Sequence, residues 1–427
     1  MLQLGITALV AFYVAWNLGA NDVANAMGTS VGSKAVTLRQ ALIIAGVLEF
    51  TGAVLFGHGV TETLATEIVN PALFATAPQL LLTGMVSVLL ACGLWLQIAT
   101  ARGLPVSSSH AVVGALAGFS WAAVGVGAID WSSIGTITLA WIVTPLVSGT
   151  IAALFYSLVK RLILDQSDPL RQLDEWIPWL SSALLGVFGV IVLPTLSQPV
   201  YTFLRERLGI TIPAHDVPLV IGAIAAVGLT LTSWRQLKYT EQENQKSQIE
   251  NPKSTITSPV ERQLARFQLL SACFVAFAHG SNDVGNAIAP LAAIAYINRT
   301  GSVPLNGLTI PIWILVLGGA GIVTGLAVWG KKVIATIGEG IIPLQPSGGF
   351  CAELATATTI LLASRLGLPV STTHALVGGV VGIGLVQNIK SIQLKTVQGI
   401  AGAWLITIPI SAGLGASVFA VARLIFL

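Results

Sequence analysis

Two copies of an Asn-Asp-x-x-Asn motif place carboxylate and amide side chains inside apolar segments, as GANDVAN (19–25) and GSNDVGN (280–286). Spacing of three residues puts the Asp and the second Asn on one helical face. Ionisable groups are costly in a membrane and mark functional sites. Carboxylate and carbonyl oxygens suit a hard cation at the bilayer midplane, where adjoining glycines would let both helices unwind. The motifs predict a Na⁺ site of Asn21, Asp22, Asn282 and Asp283; the alternative is hydrogen bonding between helices.

A second duplicated pattern follows each motif, LPVSSSHAVVG (104–114) and LPVSTTHALVG (368–378). The proline ends any preceding helix, and Ser and Thr favour the N-cap of the next one. A helix N-terminus offers free N–H groups and partial positive charge, which suits a tetrahedral oxyanion. The predicted anion ligands are Ser107, Ser108, Ser109, Ser371, Thr372 and Thr373.

Three other interpretations of these patterns remain open. The hydroxyl clusters could serve only as N-caps. Intramembrane hydrolysis would use Ser107 or Ser371 as nucleophile and His110 or His374 as base, since residues three apart on a helix can meet. Duplication disfavours this, because a catalytic centre rarely needs two equivalent nucleophiles. A passive channel or scaffold would not need the buried carboxylates.

Two glutamates and one histidine in apolar runs have no counterpart in the other half of the chain. Glu49 aligns with Ile322, Glu353 with Leu89 and His279 with Leu18. Carboxylates that break the symmetry of a carrier could hold a further cation or carry a proton. The alternative is a residue near a helix end that snorkels to the membrane surface.

The composition excludes a water-facing globular surface. The 427 residues are 54% hydrophobic and 9% charged, against roughly 25% charged in soluble domains. A net charge of +3 fits basic loops beside a membrane better than nucleic-acid binding. Apolar runs suited to transmembrane helices recur at Leu2–Ala26, Ala41–Gly57, Leu80–Thr100, His110–Ala128, Ile134–Val159, Ile177–Pro194, Val217–Ser233, Phe267–Tyr296, Ile310–Gly330, Phe350–Arg365, His374–Val386 and Val397–Phe426.

The chain consists of two related halves. The motif copies are offset by 261 residues (19 to 280) and the hydroxyl clusters by 264 (104 to 368), so order and spacing are kept. The predicted fold is an all-α polytopic membrane protein of about twelve segments, with two five-segment repeats and broken or re-entrant helices around a central site. The predicted parts are a first repeat (1–163), two intervening segments (164–234), a polar loop (235–266) and a second repeat (267–427).

Basic residues predict the orientation. With both termini outside and the polar loop in the cytoplasm, most loop Lys and Arg fall inside, while Arg205, Arg207, Arg299 and Arg423 fall outside and Arg102 and Arg365 are not assigned to a side. Seven crossings before the polar loop would then invert the second repeat relative to the first. Inverted repeats are typical of alternating-access carriers.

With these residues in view, the chain resembles the inorganic phosphate transporter family, the PiT or solute carrier 20 group. The resemblance covers essentially the whole chain and is carried by GANDVANAMGTSVGSKAVTLRQA (19–41), FAHGSNDVGNAIAPL (277–291) and GLPVSTTHALVGG (367–379). It implies cation-coupled phosphate uptake across the plasma membrane by a homodimer. It also implies that the hydroxyl clusters bind phosphate or sodium together with Asp22, Asn25, Asp283 and Asn286, and that Glu49, His279 and Glu353 take part in transport.

Anion chemistry favours phosphate over sulfate. Phosphate keeps one or two protons near neutral pH, and ionised Asp22 and Asp283 can accept hydrogen bonds but cannot donate them. The sequence therefore predicts a Na⁺-coupled phosphate symporter, with Glu353 as a further Na⁺ ligand and no bound cofactor. Sulfate transport and H⁺ coupling by the same fold remain open, because the signatures fit them too and carboxylates serve both cations.

Overall fold

The structure, a computed structural model, describes residues 2–207, 213, 216–247, 258–305, 307–331, 334 and 340–426. The described part is almost wholly helical. In chain order its α-helices are α1 (Leu2–Gly32), α2 (Leu38–Phe56), α3 (His58–Thr66), α4 (Pro78–Ala101), α5 (Ser108–Val124), α6 (Trp131–Val159), α7 (Pro169–Ile191), α8 (Leu193–Leu196), α9 (Gln198–Arg207), α10 (Asp216–Ser247), α11 (Pro259–Thr300), α12 (Ile312–Trp329), α13 (Pro346–Arg365), α14 (Thr372–Gln387) and α15 (Leu394–Phe426).

Each predicted apolar segment overlaps one of these helices, which confirms the all-α polytopic class. Within the described ranges, seven helices are long and apolar enough to cross a bilayer, and a bent pair, α7 with α8 and α9, makes eight. The outer helices expose hydrocarbon: on α6, Leu139, Leu146 and Leu154 are each more than 60% exposed. Such side chains suit lipid, because lipid imposes no penalty on exposed apolar surface.

The third and fourth segments are the arms of one helical hairpin, here called hairpin 1. Between α4 and α5 the chain reverses at Gly103, whose φ of 67° is a left-handed conformation that glycine tolerates. The arms are antiparallel, since Gly84 near the start of α4 lies against the Phe119 ring near the end of α5. Asn70, before the hairpin, lies beside Ala128, after it, since the Asn70 N–H donates to the Ala128 carbonyl at 3.1 Å.

Helices α13 and α14 form the equivalent hairpin 2. Gly367 turns the chain with φ of 66°, and Gly348 near the start of α13 lies against Ile383 near the end of α14. The N–H of Gln393, after the hairpin, donates to the carbonyl of Ile341, before it. The seven helices long and apolar enough to cross a bilayer include α4 of hairpin 1 and neither arm of hairpin 2. Because a hairpin returns the chain to the side from which it came, the predicted inversion of the repeats does not depend on how far either hairpin enters the bilayer.

Helices of the first half of the chain pack against helices of the second half. Helix α1 packs on α12 and α2 on α11, while α5 packs on α15 and α6 on α14. Equivalent glycines permit equivalent close approaches: a Cβ on Gly19 would lie 2.0 Å from the carbonyl oxygen of Ile322, and one on Gly280 would lie 2.0 Å from that of Glu49. This packing places Ile322 and Glu49 at equivalent positions, as the sequence alignment predicts.

The polar stretch predicted as a loop over 235–266 is helical at both ends. Helix α10 continues to Ser247 and α11 begins at Pro259, with Ser258 as its N-cap. Gln, Glu and Lys in this stretch are good helix formers, so polarity alone did not indicate a loop. Residues 248–257 of the predicted loop lie outside the described residues.

Candidate functional site

Helices α1 and α11 carry the two Asn-Asp-x-x-Asn motifs and run unbroken through them. The unwinding predicted at the motif glycines is therefore absent from both helices. The glycines instead allow close packing, since a side chain at Gly19 or Gly280 would collide with the neighbouring helix backbone. The helix breaks that shape the site lie in the two hairpins.

The first Asn of each motif anchors the tip of one hairpin. Asn21 Nδ2 donates to Thr100 Oγ1 and to the Leu104 carbonyl of hairpin 1, both at 3.0 Å. In the other half, Asn282 Nδ2 donates to Ser364 Oγ at 3.0 Å and to the Leu368 carbonyl at 3.1 Å. The sequence pattern did not indicate Thr100 and Ser364 as contact residues, because each lies in an apolar run before the Pro turn.

The second Asn of each motif reaches the opposite hairpin. Asn25 Nδ2, on α1, donates to Thr373 Oγ1 at 2.9 Å and to Thr372 Oγ1 at 3.2 Å, both in hairpin 2. Asn286 Nδ2, on α11, donates to Ser108 Oγ of hairpin 1 at 3.1 Å. Each motif therefore holds both hairpin tips, and the two tips converge on one place.

The aspartates lie at this convergence. Asn25 Nδ2 lies 3.2 Å from Asp22 Oδ1, and Asn286 Nδ2 lies 3.0 Å from Asp283 Oδ1. The motif and hydroxyl-cluster side chains are at most 5% exposed, so the site is closed to both membrane faces.

Not every hydroxyl in the two clusters faces the aspartates. Ser107 and Ser371 are the N-caps of α5 and α14, and each accepts a hydrogen bond from the N–H three residues later at 3.2 Å. Ser109 pairs with Ser107 at 3.0 Å. The capping interpretation thus describes Ser107 and Ser371, while Ser108, Thr372 and Thr373 contact the motifs.

Unpaired acceptor oxygens mark where a cation would fit. Among the described residues, Oδ1 of each of the four motif asparagines and Oδ2 of both Asp22 and Asp283 are buried without a hydrogen-bond partner. An unsatisfied buried acceptor costs about 1–3 kcal/mol. These six acceptors, all on the two motifs, are a ligand set for a hard cation such as Na⁺, which needs oxygen lone pairs and offers no hydrogen.

Glu49 and His279 extend the site toward α2. His279 Nε2 lies 3.1 Å from Asp283 Oδ2, and His279 Nδ1 lies 3.2 Å from Glu49 Oε2. Ligand atoms of Asp22, His279 and Asp283 all lie within 4.8 Å of one another. The sequence singled out both symmetry-breaking residues, but nothing in it indicated that they contact each other.

Glu353 belongs to a separate polar cluster. Its carboxylate accepts from Thr29 Oγ1 at 2.6 Å, Ser30 Oγ at 2.7 Å, Ser271 Oγ at 2.8 Å and Gln268 Nε2 at 3.2 Å. Thr29 lies seven residues beyond Asp22, about 10 Å along the helix. Glu353 therefore lies apart from the motif aspartates, and its role as a further Na⁺ ligand stays a prediction.

Glu353→Gln is expected to lower the free energy of unfolding by about 2 kcal/mol. Hydrogen bonds to a charged acceptor are strong, and the glutamine NH₂ group would face the hydroxyl and amide groups that donate to Glu353. Thermal denaturation of purified protein in detergent measures this. Glu175→Gln is the control, since Glu175 is 55% exposed and its partner among the described residues is Arg171. An unchanged midpoint for Glu353→Gln would contradict the role of this cluster in stability.

The histidines after the hydroxyl clusters do not activate a serine. His110 Nδ1 lies 3.2 Å from the Trp404 carbonyl, and His374 Nδ1 lies 3.0 Å from the Trp141 carbonyl. Their Nε2 atoms are buried without hydrogen-bond partners. A general base must reach the nucleophile's proton, so this arrangement does not support the hydrolase interpretation.

Comparison with known proteins gives consistent matches. A family profile described as "Phosphate transporter family" matches residues 18–415. A "Putative phosphate permease" of Haemophilus influenzae is 39% identical over 99% of this chain and 97% of its own length. "Inorganic phosphate transporter 2-1, chloroplastic" of Arabidopsis thaliana is 40% identical over 96% of this chain and 70% of its own. A solved structure titled "The sodium-dependent phosphate transporter" is 35% identical, with a TM-score of 0.83 over all of both chains.

Proposed function

This chain belongs to the phosphate transporter family, whose members are transporters and not enzymes, and from that premise we propose that it is a Na⁺-coupled phosphate symporter working by alternating access. The observation that carries the proposal is the closed site itself. Unpaired oxygen acceptors from α1 and α11 share it with hydroxyls and helix N-termini from both hairpins. The unpaired oxygen acceptors suit a cation, and the hydroxyls with the helix N-termini suit an anion.

Coupling follows from charge. Neither motif nor hydroxyl cluster contains Lys or Arg, and the nearby Arg365 donates to the Ile191 carbonyl instead. Phosphate entering beside Asp22 and Asp283 therefore meets like charge. Na⁺ on the aspartates lowers that repulsion, so each ion raises the affinity for the other by the same factor.

The aspartates also provide a basis for selecting phosphate. A carboxylate can accept a hydrogen bond from a protonated phosphate oxygen, whereas fully ionised sulfate has no proton to donate. Sulfate would place acceptor against acceptor in a buried site, where an unpaired polar group is costly. This supports phosphate over sulfate as the substrate.

Alternating access is supported by the paired hairpins. Hairpin 1 and hairpin 2 belong to equivalent positions of the two repeats, and their tips meet at the closed site. With the repeats inverted, as the basic loops favour, one hairpin opens toward each membrane face. Rocking of the repeats would then expose the site to one side at a time.

The remaining parts of the proposal concern the protein's setting. Its basic loops favour a plasma-membrane orientation with both termini outside and residues 235–266 in the cytoplasm. Homodimer formation is proposed from the family resemblance alone. Na⁺ and phosphate are transported ions, and no resident cofactor is required.

Uptake of radiolabelled phosphate into proteoliposomes at fixed pH tests the proposal. An inward Na⁺ gradient should drive uptake and an equal K⁺ gradient should not, while excess unlabelled sulfate should leave uptake unchanged. Uptake driven by a pH gradient but indifferent to Na⁺ would overturn Na⁺ coupling and turn attention to Glu49, His279 and Glu353 as proton carriers. Suppression by sulfate would overturn the substrate assignment.

A further inference from the structure

An apolar groove lies between α2 and α12 on the outer surface of the helix bundle, with one wall from each half of the chain. It has a volume of about 870 Å³. On the α2 side, Ile43 and Val47 are wall residues that are at least 60% exposed. The groove is deep because Gly46, Ala320 and Ala327 have little or no side chain. Both helices are long and apolar enough to cross a bilayer, so the groove faces lipid.

The groove is lined by hydrocarbon over most of its length. Its two hydroxyl groups are bound within their own helices, since Thr51 Oγ1 donates to the Val47 carbonyl and Thr324 Oγ1 to the Ala320 carbonyl, each at 2.7 Å. From Arg39 to Thr51, twelve residues later, the groove extends for about 18 Å. The hydrocarbon of one bilayer leaflet is roughly 15 Å deep, so one acyl chain fits along the groove.

The two helices are antiparallel, and their register fixes which residues lie at the same depth. A Cβ on Gly46 would lie 3.4 Å from Val323, and one on Gly319 would lie 2.9 Å from the Phe50 ring. Extending this register places Lys331, exposed just beyond the end of α12, at the level of the start of α2.

This level is the basic end of the groove. Arg39 is the charged residue among the described residues that line the groove, and Lys331 lies at its depth. The alignment that pairs Glu49 with Ile322 pairs Arg39 with Ile312, so the opposite end has no equivalent charge. The proposed orientation places the basic end at the cytoplasmic face, where acidic lipids attract Lys and Arg.

We propose that this groove binds one acidic phospholipid, such as phosphatidylglycerol. One acyl chain lies between α2 and α12, and the lipid phosphate lies beside Arg39 and Lys331. Basic pockets between membrane helices suit acidic headgroups, and the groove below supplies the apolar surface that a chain needs. The lipid then contacts one helix from each half of the chain. This inference does not depend on which ion the protein transports.

A second copy of this chain fits the groove less well. Two copies in one membrane keep the same orientation, so a two-fold axis along the membrane normal relates them and each contributes the same surface. An interface built on the groove would bring Arg39 and Lys331 of both copies to one level. Like charges that meet across an interface are unfavourable, whereas a lipid phosphate neutralises them.

Native mass spectrometry of the purified full-length protein, with phosphatidylglycerol or phosphatidylcholine of the same acyl chains, tests the proposal. The wild type should retain one phosphatidylglycerol per protomer in preference to phosphatidylcholine. Arg39→Gln should reduce this preference about fivefold and Arg39→Gln with Lys331→Gln about 25-fold, since each basic residue near an acidic lipid contributes a similar free energy. Arg161→Gln, at the exposed cytoplasmic end of α6, is the matched control and should leave the preference unchanged.

Ala327→Phe tests the groove separately from its charge. The ring would occupy the space of the acyl chain, so retention of phosphatidylglycerol should fall about tenfold, the usual scale of overpacking. Val143→Phe is its control, because Val143 is 41% exposed on α6 and does not line the groove. The unfolding midpoint of each variant in detergent checks that it is folded.

Three outcomes would overturn the proposal. In the first, the phosphatidylglycerol preference survives in the Arg39→Gln, Lys331→Gln double variant, or Arg161→Gln reduces it equally. In the second, Ala327→Phe leaves lipid retention unchanged. In the third, light scattering shows that the groove variants turn dimers into monomers without altering lipid retention, which would make the groove an interface between copies.

Discussion

Asp22→Asn and Asp283→Asn are each expected to abolish Na⁺-driven phosphate uptake while the protein remains folded in the membrane. Both carboxylates are at most 1% exposed and lie where the two hairpin tips converge. Removing one partner of a buried charge pair costs about 3–5 kcal/mol, which is a loss of more than about a hundredfold in cation affinity. Because coupling is reciprocal, phosphate affinity should fall with it.

Asparagine keeps the shape of the side chain, and each aspartate accepts from one asparagine amide, against four donors on Glu353. The unfolding midpoint in the absence of Na⁺ should therefore change less than in Glu353→Gln. Uptake into proteoliposomes at a saturating Na⁺ gradient measures the loss, with protein amount and midpoint measured on the same preparations. Asp174→Asn, on the exposed surface of α7, is the matched control. Near-normal uptake in both site variants would refute the cation-site assignment.

Asn25→Leu is expected to reduce phosphate uptake at a given phosphate concentration by about a hundredfold. Its Nδ2 holds Asp22 and both threonine hydroxyls of hairpin 2 in place. Leucine has the same branching and the same number of side-chain heavy atoms as asparagine but has no donor, so the tip of hairpin 2 loses its link to α1. Each charge-assisted hydrogen bond lost costs roughly 1.5–3 kcal/mol, and a hydroxyl cluster set loosely binds an anion poorly.

The second repeat contains an equivalent asparagine for a parallel experiment, and α1 contains a control asparagine. Asn286→Leu removes the equivalent link to Ser108 in hairpin 1 and should have a similar effect. Asn17→Leu changes a buried asparagine of the same helix whose Nδ2, within the described part of the chain, bonds the Tyr13 carbonyl one turn earlier. Uptake reduced as much by Asn17→Leu as by Asn25→Leu would show that the effect is general helix damage and not loss of the hairpin contact.

Local sequence patterns indicated many of the residues that the structure brings together at the candidate site. The Asp and Asn residues and the hydroxyl clusters were recognisable because polar groups in apolar segments are conspicuous, and duplication paired each with its counterpart. Thr29 and Ser30 were missed, although they lie on the same helical face as Asp22 and Asn25. Their spacing was the available signal, but neither side chain is ionisable.

Other features depended on contacts between distant parts of the chain. Asn25 binds threonines nearly 350 positions away, and the sequence has no local mark of which hairpin an asparagine will reach. Glu49 and His279 were each recognised as lacking a counterpart in the other half, yet they meet only because α2 packs on α11. The hydroxyls around Glu353 likewise come from α1 and α11, which no local spacing relates to it.

By itself, the sequence determined that this is a membrane protein of two related halves, with paired carboxylates and paired hydroxyl clusters at equivalent positions. Those properties are local, since composition and periodicity decide what can lie in lipid and a repeated segment repeats its chemistry. Only the tertiary structure decided that four of the segments are hairpin arms, that the motif helices stay unbroken and that each motif holds both tips. These depend on how helices from the two halves pack, because close packing brings together side chains that no local spacing relates.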